Sequence, residues 1–229
     1  MRKHLLFFIL ALYAVAVGPA FSHNPALNGP ANVNNDIMLW LDAADANGNG
    51  TSLTAGADLT TWKDKSGAGH DATVAPGNSP GVYQSNQING KPVVRFTRIS
   101  NTSGSVYVVN DVDLRAGTNP DVTIITVYKQ GSLASTTQQN AVWGIDNGAW
   151  DRSFYSHSAG NDGFLSIGPG SELAEVPGGG KVGALQFVTA VYDANINNGI
   201  NIGPTNGSAI YLNGKLISKF TDTTDPIEA

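Results

Sequence analysis

The chain has 229 residues, a formal net charge of −5 at pH 7 and no cysteine. Without cysteine the protein has no disulfide bond and no thiolate metal site, and its negative charge argues against nucleic acid and anionic membranes as partners. Its 27 glycines suit a fold with many tight turns. Such a chain is expected to be stabilised by packing, and bound ions are a second candidate source of stability.

The N-terminus predicts a secretory signal peptide over residues 1–22. A basic head precedes an apolar stretch, residues 5–17, that is too short to span a bilayer, and small residues follow at the exit. The alternative is an uncleaved anchor helix. Cleavage would leave 207 residues with a net charge of −7 instead of −5, because Arg2 and Lys3 are lost. We therefore expect a secreted or cell-surface protein with no membrane insertion after signal removal.

The mature chain is predicted to be all β. Residues 23–35 are rich in Asn and Pro and indicate a polar linker, and the first candidate for a buried strand is residues 37–41. No apolar period of 3.6 residues lasts long enough to predict a helix. Short apolar or alternating runs recur roughly every ten residues instead, with turn residues between them. The further predicted strands are residues 92–97, 105–109, 122–129, 141–145, 152–156, 163–167, 185–192, 208–212 and 215–220.

Two Asn-Gly pairs predict tight hairpin turns. Asn213-Gly214 separates two apolar runs and suits a type I′ turn, in which both central residues have positive φ. Asn89-Gly90 is a second such turn and leads into the strand at 92–97. This succession of short strands and turns predicts an antiparallel sandwich or jelly roll, with no second domain.

Three spaced blocks stand in order: residues 37–42 (IMLWLD), 62–73 (WKDKSGAGHDAT) and 88–96 (INGKPVVRF). Together they resemble the concanavalin A-like lectin/glucanase superfamily, and more narrowly the laminin-G-like domains of bacterial secreted and surface proteins. The resemblance covers residues 36–220 and implies an antiparallel jelly roll of two stacked sheets. It also implies further strands after Phe220, so we expect the domain, residues 36–229, to be incomplete at its C-terminal end.

The middle block is interpreted as architectural. Trp62 suits a core position, and Asp64 and Ser66 can cap a turn for which Gly67 and Gly69 adopt positive φ. We expect this segment to hold the fold together and assign no ligand to it.

Hydrolysis of polysaccharides would need a pair of carboxyl groups that flank the scissile bond. Glucanases of the superfamily carry them on one strand as E-x-D-x-x-E or E-x-D-x-E, whereas the mature chain has only Glu172, Glu175 and Glu228, none in that pattern. The Gly- and Pro-rich segment around Glu172 and Glu175 is expected to be a solvated loop. The G-x-S-x-G string at 77–81 lacks a predicted strand before it and helix after it, and is expected to be a turn. The motifs therefore favour a protein that is not an enzyme.

Residues 144–152 (GIDNGAWDR) are the candidate ligand-binding loop. They lie between two predicted strands and combine an aromatic ring with amide, carboxylate and guanidinium groups. Sugar recognition uses this mixture, because the ring covers the apolar face of a pyranose and the polar groups bond its hydroxyls. The alternative is that the tryptophan folds inward and Asn147-Gly148 is an ordinary turn. The candidate ligand-binding residues are Asp146, Asn147, Trp150, Asp151 and Arg152.

Residues 45–50 (DANGNG) are a candidate calcium loop. Oxygen-bearing side chains alternate and glycine stands sixth, as in calcium loops, but the twelfth position is Gly56 where an EF-hand has glutamate. The resemblance adds that laminin-G-like folds often bind calcium at a loop rim. With two carboxylates we expect modest affinity, suited to extracellular calcium; the alternative is a simple turn. The candidate metal ligands are Asp42, Asp45, Asn47 and Asn49.

These features predict an extracellular, non-catalytic module that binds carbohydrate or an extracellular protein through rim loops, with calcium as its candidate cofactor. Two alternatives stay open. One is a polysaccharide-degrading enzyme or the accessory domain of one. The other is a purely structural or protein-interaction domain of a surface protein.

Overall fold

A computed structural model gives the fold. The structure describes residues 5–6, 37–100, 103–110, 112, 122–132, 139–144, 152–157, 163–166, 173–192 and 208–220. The regular elements of these residues are β-strands, apart from one 3-10 turn at Ala43–Asp45. The predicted all-β class with antiparallel sheets is confirmed. Within the same residues, no helix has the length and apolar character needed to cross a membrane.

The chain divides into two compact units. The first unit comprises Ile9–Val112, and the second unit comprises Met1–Phe8 together with Asp113–Ala229. Each unit contains its own sheets. The single domain expected over residues 36–229 stays a prediction.

The described strands of the first unit form two antiparallel sheets of three strands each. The strands are β2 (Asp58–Leu59), β3 (Thr61–Trp62), β4 (Ala72–Val74), β5 (Gly81–Ile88), β6 (Lys91–Arg95) and β7 (Tyr107–Val109). One sheet has the order β2-β5-β6 and the other the order β3-β4-β7. The β5–β6 hairpin turns at Asn89-Gly90, where φ is 48° and 75°, as predicted.

The described strands of the second unit form a five-stranded and a four-stranded sheet. The strands are β1 (Leu5–Leu6), β8 (Val122–Lys129), β9 (Asn140–Gly144), β10 (Ser153–His157), β11 (Phe164–Ser166), β12 (Leu173–Glu175), β13 (Leu185–Tyr192), β14 (Ser208–Leu212) and β15 (Lys215–Phe220). The orders are β1-β8-β13-β14-β15 and β12-β11-β10-β9. Strand β1, which lies inside the predicted signal peptide, pairs in parallel with Val122 and Thr123 of β8. The predicted hairpin at Asn213-Gly214 is confirmed, with φ of 52° and 79°.

Aromatic side chains join the two sheets of the second unit. The rings of Tyr128 in β8 and Phe154 in β10 have centroids 5.8 Å apart, and those of Trp143 in β9 and Tyr192 in β13 lie 6.3 Å apart. Phe154 and Tyr192 are fully buried. Side chains of one sheet thus pack on those of the other, which is the packing of a β-sandwich.

The strand predicted at residues 37–41 does not form. Residues 37–40 are irregular, and only Leu41 makes a bridge, to Asp64. Side chains occupy the backbone groups that a strand ladder would use: the N–H of Trp40 donates to Asp64 Oδ1 at 2.9 Å, and Nδ1 of His70 lies 2.8 Å from the carbonyl oxygen of Met38. Because Trp40 has a single backbone N–H and Asp64 accepts from it, that donor is not available to a neighbouring strand.

The segment around Glu175 is a strand where a solvated loop was predicted. Residues Leu173–Glu175 form β12, which pairs antiparallel with β11. Ala174 and Val176 are buried while Glu175 is exposed. The alternation of buried and exposed side chains explains the strand, because it places two apolar side chains on the inner face of the sheet.

Candidate functional site

The predicted ligand-binding loop connects β9 to β10. Residues 145–151, which carry Asp146, Asn147, Trp150 and Asp151, lie outside the described residues. Both flanks are described: β9 ends at Gly144, β10 begins at Ser153, and these two residues are partners in the antiparallel pair. The two ends of the candidate loop therefore lie side by side.

The strands approach closely at this base. A Cβ atom added to Gly144 would lie 2.5 Å from Cβ of Ser153 and 3.3 Å from its Cα. Such a separation is shorter than real Cβ contacts, so only glycine fits at position 144 without a shift of the backbone. Ser153 is itself buried.

Arg152 is the one predicted ligand-binding residue that the structure describes. Its side chain is buried, with 3% of the residue exposed, and its guanidinium carbon lies 4.6 Å from the centre of the Tyr192 ring. A desolvated cation–π contact of this kind contributes about 2 kcal/mol. Arg152 thus packs against Tyr192 at the end of β13, and direct contact between Arg152 and a sugar stays a prediction.

The predicted calcium loop is a compact turn in the first unit. Asp42 caps the 3-10 turn, since its Oδ1 accepts a hydrogen bond from the N–H of Ala44 at 2.8 Å. The buried Asp45 accepts two more on its own Oδ1, from the N–H of Asn49 at 3.0 Å and of Gly50 at 2.9 Å. Asp45 therefore organises the loop from its first position.

A lysine occupies the space between the two carboxylates. Nζ of Lys65 lies 3.0 Å from Oδ2 of Asp45 and 3.4 Å from Oδ2 of Asp42. The same nitrogen lies 4.6 Å from the centre of the Trp40 ring, and only 5% of the Lys65 side chain is exposed. Lys65 is not among the residues predicted from the sequence; the available signal was a lysine directly after Asp64, the residue that caps the neighbouring turn.

The two asparagines of the string do not join this group. Oδ1 of Asn49 accepts hydrogen bonds from the N–H and the hydroxyl of Thr51, at 3.0 and 2.7 Å, and Asn47 is exposed. Among the described residues, no group of three or more His, Cys, Asp or Glu side chains is placed so that it could hold one metal ion. Among the four predicted metal ligands, the structure brings together Asp42 and Asp45.

The architectural role of residues 62–73 rests on two aspartates. Asp64 accepts four hydrogen bonds: Oδ1 from the N–H of Trp40 and of Ser66, and Oδ2 from the hydroxyl of Ser66 and the N–H of His70. Gly67 and Gly69 have φ of 89° and 83°, as expected for the turn. Asp64 thereby ties the turn to the segment that precedes the 3-10 turn.

Asp71 is the second aspartate, and it bonds Lys63 and Asp64. Its Oδ2 pairs with Nζ of Lys63 at 2.5 Å, and its Oδ1 accepts from the N–H of Asp64 at 3.0 Å. The hydrogen bond from Lys63 lowers the pKa of the Asp71 carboxyl below its usual value, and the hydrogen bond from the Asp64 N–H acts in the same direction. Both groups face solvent, so this ion pair contributes little to stability.

Comparison with protein-family models, curated proteins and solved structures finds no match to this chain. The function is therefore argued from the chain's own residues. Of the three glutamates considered for catalysis, Glu175 is exposed on β12, and Glu172 and Glu228 lie outside the described residues.

Proposed function

We propose that the chain is an exported, non-catalytic module that binds carbohydrate through the loop at residues 145–151. The proposal includes a two-sheet jelly roll of concanavalin A type and a secreted or cell-surface location. The observation that carries it is the anchoring of this loop at its base, where Gly144 pairs with Ser153 and Arg152 packs on Tyr192.

A loop held at both ends suits ligand binding, because less conformational freedom is lost when the ligand arrives. Its sequence supplies Trp150 as an aromatic surface, and Asp146, Asn147 and Asp151 as hydrogen-bonding groups for sugar hydroxyls. In this proposal Arg152 is a positioning residue, because its packing on Tyr192 fixes the residue at which the chain leaves the loop. The ligand is a polysaccharide or a glycan of an extracellular protein.

A glycan array tests the proposal. The full chain is expected to be retained on at least one class of glycan, and Trp150→Ala is expected to lose that retention. Phe96→Ala is the matched control, because Phe96 is a large aromatic residue, 52% exposed, in the first unit. Retention that Trp150→Ala leaves unchanged would remove the loop from the proposal, and the absence of any retention of the full chain would overturn it.

A second candidate function is favoured by exposed apolar side chains in the first unit. A protein-interaction or adhesive role would use them as one apolar patch, since a contiguous apolar patch on a protein surface often marks a contact site. They are Phe96, Ile99, Val106 and Val108, with 52%, 65%, 45% and 42% of each residue exposed.

Trp150→Ala and one further variant separate the two functions. In the adhesive case, the double variant Phe96→Ser/Ile99→Ser is expected to lose retention on a panel of immobilised extracellular proteins, and Trp150→Ala is expected to keep it. In the carbohydrate case, Trp150→Ala is expected to lose retention on the glycan array, and Phe96→Ser/Ile99→Ser is expected to keep it.

A further inference from the structure

We infer that the ammonium group of Lys65 takes the place of a bound metal cation in the loop at residues 42–50, and that this loop folds without calcium. The inference concerns the first unit and goes beyond the proposed function, which rests on the second unit. It also differs from the calcium site that the alternating oxygen ligands and the laminin-G resemblance suggested.

The main chain brings Lys65 to this position. Leu41 and Asp64 form an antiparallel bridge, and the N–H of Lys65 donates to the carbonyl oxygen of Trp40 at 2.9 Å. The N–H of Lys63 donates to the carbonyl oxygen of Ala46 at 2.9 Å, on the far side of the 3-10 turn. Backbone hydrogen bonds on both sides of Asp64 thus hold Lys65 beside the loop.

The surroundings of the ammonium group resemble those of a bound ion. Two carboxylate oxygens, from Asp45 and Asp42, lie 3.0 and 3.4 Å from Nζ, and the face of Trp40 covers it at 4.6 Å. With 5% of the Lys65 side chain and 9% of the Asp45 side chain exposed, the closer pair is almost fully removed from solvent. A buried carboxylate requires a partner of opposite charge, and Lys65 provides it.

Calcium does not fit this arrangement while the lysine is present. Calcium takes about six to eight oxygen ligands at about 2.3–2.6 Å. An ion bound at Oδ2 of Asp45 would stand close to the ammonium group and be repelled by it, because Nζ is 3.0 Å from the same oxygen. Oδ1 of Asp45 is already shared by two backbone N–H groups, and Oδ1 of Asn49 bonds Thr51. The residues that would ligate calcium are engaged with partners of this chain.

A set of thermal melts of the full chain tests the inference. The wild type, Lys65→Met and Lys63→Met are each melted in excess EDTA and in millimolar calcium. Lys63 is the matched control: it also pairs with an aspartate, but 49% of its side chain is exposed. Lys65→Met is expected to lower Tm by about 5–10 °C, because it leaves the buried Asp45 carboxylate unpaired. Lys63→Met is expected to lower it by about 2 °C or less.

The wild type is expected to melt at the same temperature in EDTA and in calcium. A calcium-dependent rise of the wild-type Tm that Asp45→Asn abolishes would overturn the inference, and so would equal effects of Lys65→Met and Lys63→Met. If Lys65→Met does not fold, the wild-type melts in EDTA and in calcium still test whether the loop folds without calcium. The glycan retention of the proposed function is measured separately, so failure of one does not imply failure of the other.

Discussion

The hydroxyl group of Tyr107 donates a hydrogen bond to the backbone carbonyl oxygen of Leu59, which lies 48 residues earlier in the chain. The same hydroxyl accepts a hydrogen bond from the N–H of Gly81 at 2.9 Å. Tyr107 belongs to β7, whereas Leu59 and Gly81 belong to the other sheet of the first unit. A single side chain therefore links the two sheets of this unit.

Tyr107→Phe is expected to destabilise the first unit by about 1–3 kcal/mol, because two partly buried backbone groups lose their partner. The ring contacts with Trp62 and Phe96 remain in this variant, so the loss reports the hydroxyl group. Urea unfolding curves of the two proteins measure it. Tyr211→Phe is the control, since no hydrogen bond of the Tyr211 hydroxyl occurs among the described residues; equal losses in both variants would contradict the prediction.

Ionisation of the Tyr107 hydroxyl group is expected to lower the stability of the protein at alkaline pH. Burial raises the pKa of Tyr107 above its usual value of 10.0, and the negative charge of Asp58 adds to the rise. The folded state therefore holds this proton more tightly than the unfolded state. The resulting stability is fully present below pH 10.0 and is lost as pH rises from there through the folded-state pKa.

Urea unfolding at pH 8 and at about pH 11 measures this dependence. The wild type is expected to lose more stability between the two conditions than Tyr107→Phe does. Lysine side chains also titrate in this range, but they are common to both proteins and cancel in the difference. Parallel pH profiles for the two proteins would show that Tyr107 does not contribute.

Asp64→Ala is expected to destabilise the first unit by roughly 3 kcal/mol or more, because the N–H groups of Trp40, Ser66 and His70 lose a charged acceptor. Asp58→Ala is a suitable control, since Asp58 is an exposed carboxylate in β2 and its removal should change stability by about 0.5 kcal/mol at most. Urea unfolding of both variants measures the difference. An effect of Asp64→Ala as small as that of Asp58→Ala would refute the architectural role.

The long strands could be predicted from sequence because their side chains obey a local rule. In β13, Gln186, Val188, Ala190 and Tyr192 are buried and the residues between them are not, so the period of two is complete within the strand itself. The observed bounds of β8, β13, β14 and β15 are those predicted.

The strand predicted at residues 37–41 and the candidate calcium loop depend on distant residues instead. The N–H of Trp40 is taken by Asp64, 24 residues later, and Asp42 is contacted by Lys65, 23 residues later. The local pattern at Asp45 correctly indicated a tight, oxygen-lined turn, and the loop does close around this side chain. No local rule could indicate that a lysine from another segment would lie against it.

The two Asn-Gly turns offer a further prediction, because they share a backbone conformation but differ in side-chain contacts. Asn213 and Asn89 have φ of 52° and 48°. Oδ1 of Asn213 accepts from the N–H of Phe187 at 2.9 Å, and its Nδ2 donates to Oε1 of the buried Gln186 at 2.9 Å. Asn89 is exposed, and its side chain has no hydrogen bond within the described residues.

Replacement by glycine separates these contributions, since glycine keeps the positive φ and removes only the side chain. Asn213→Gly is expected to lower the free energy of unfolding of the second unit by about 1–2 kcal/mol, because Phe187 and Gln186 lose their partners. Asn89→Gly is expected to change stability by about 0.5 kcal/mol or less. Urea unfolding of the two variants makes the comparison. Equal losses would mean that the backbone turn, and not the contacts of Asn213 with β13, accounts for its contribution.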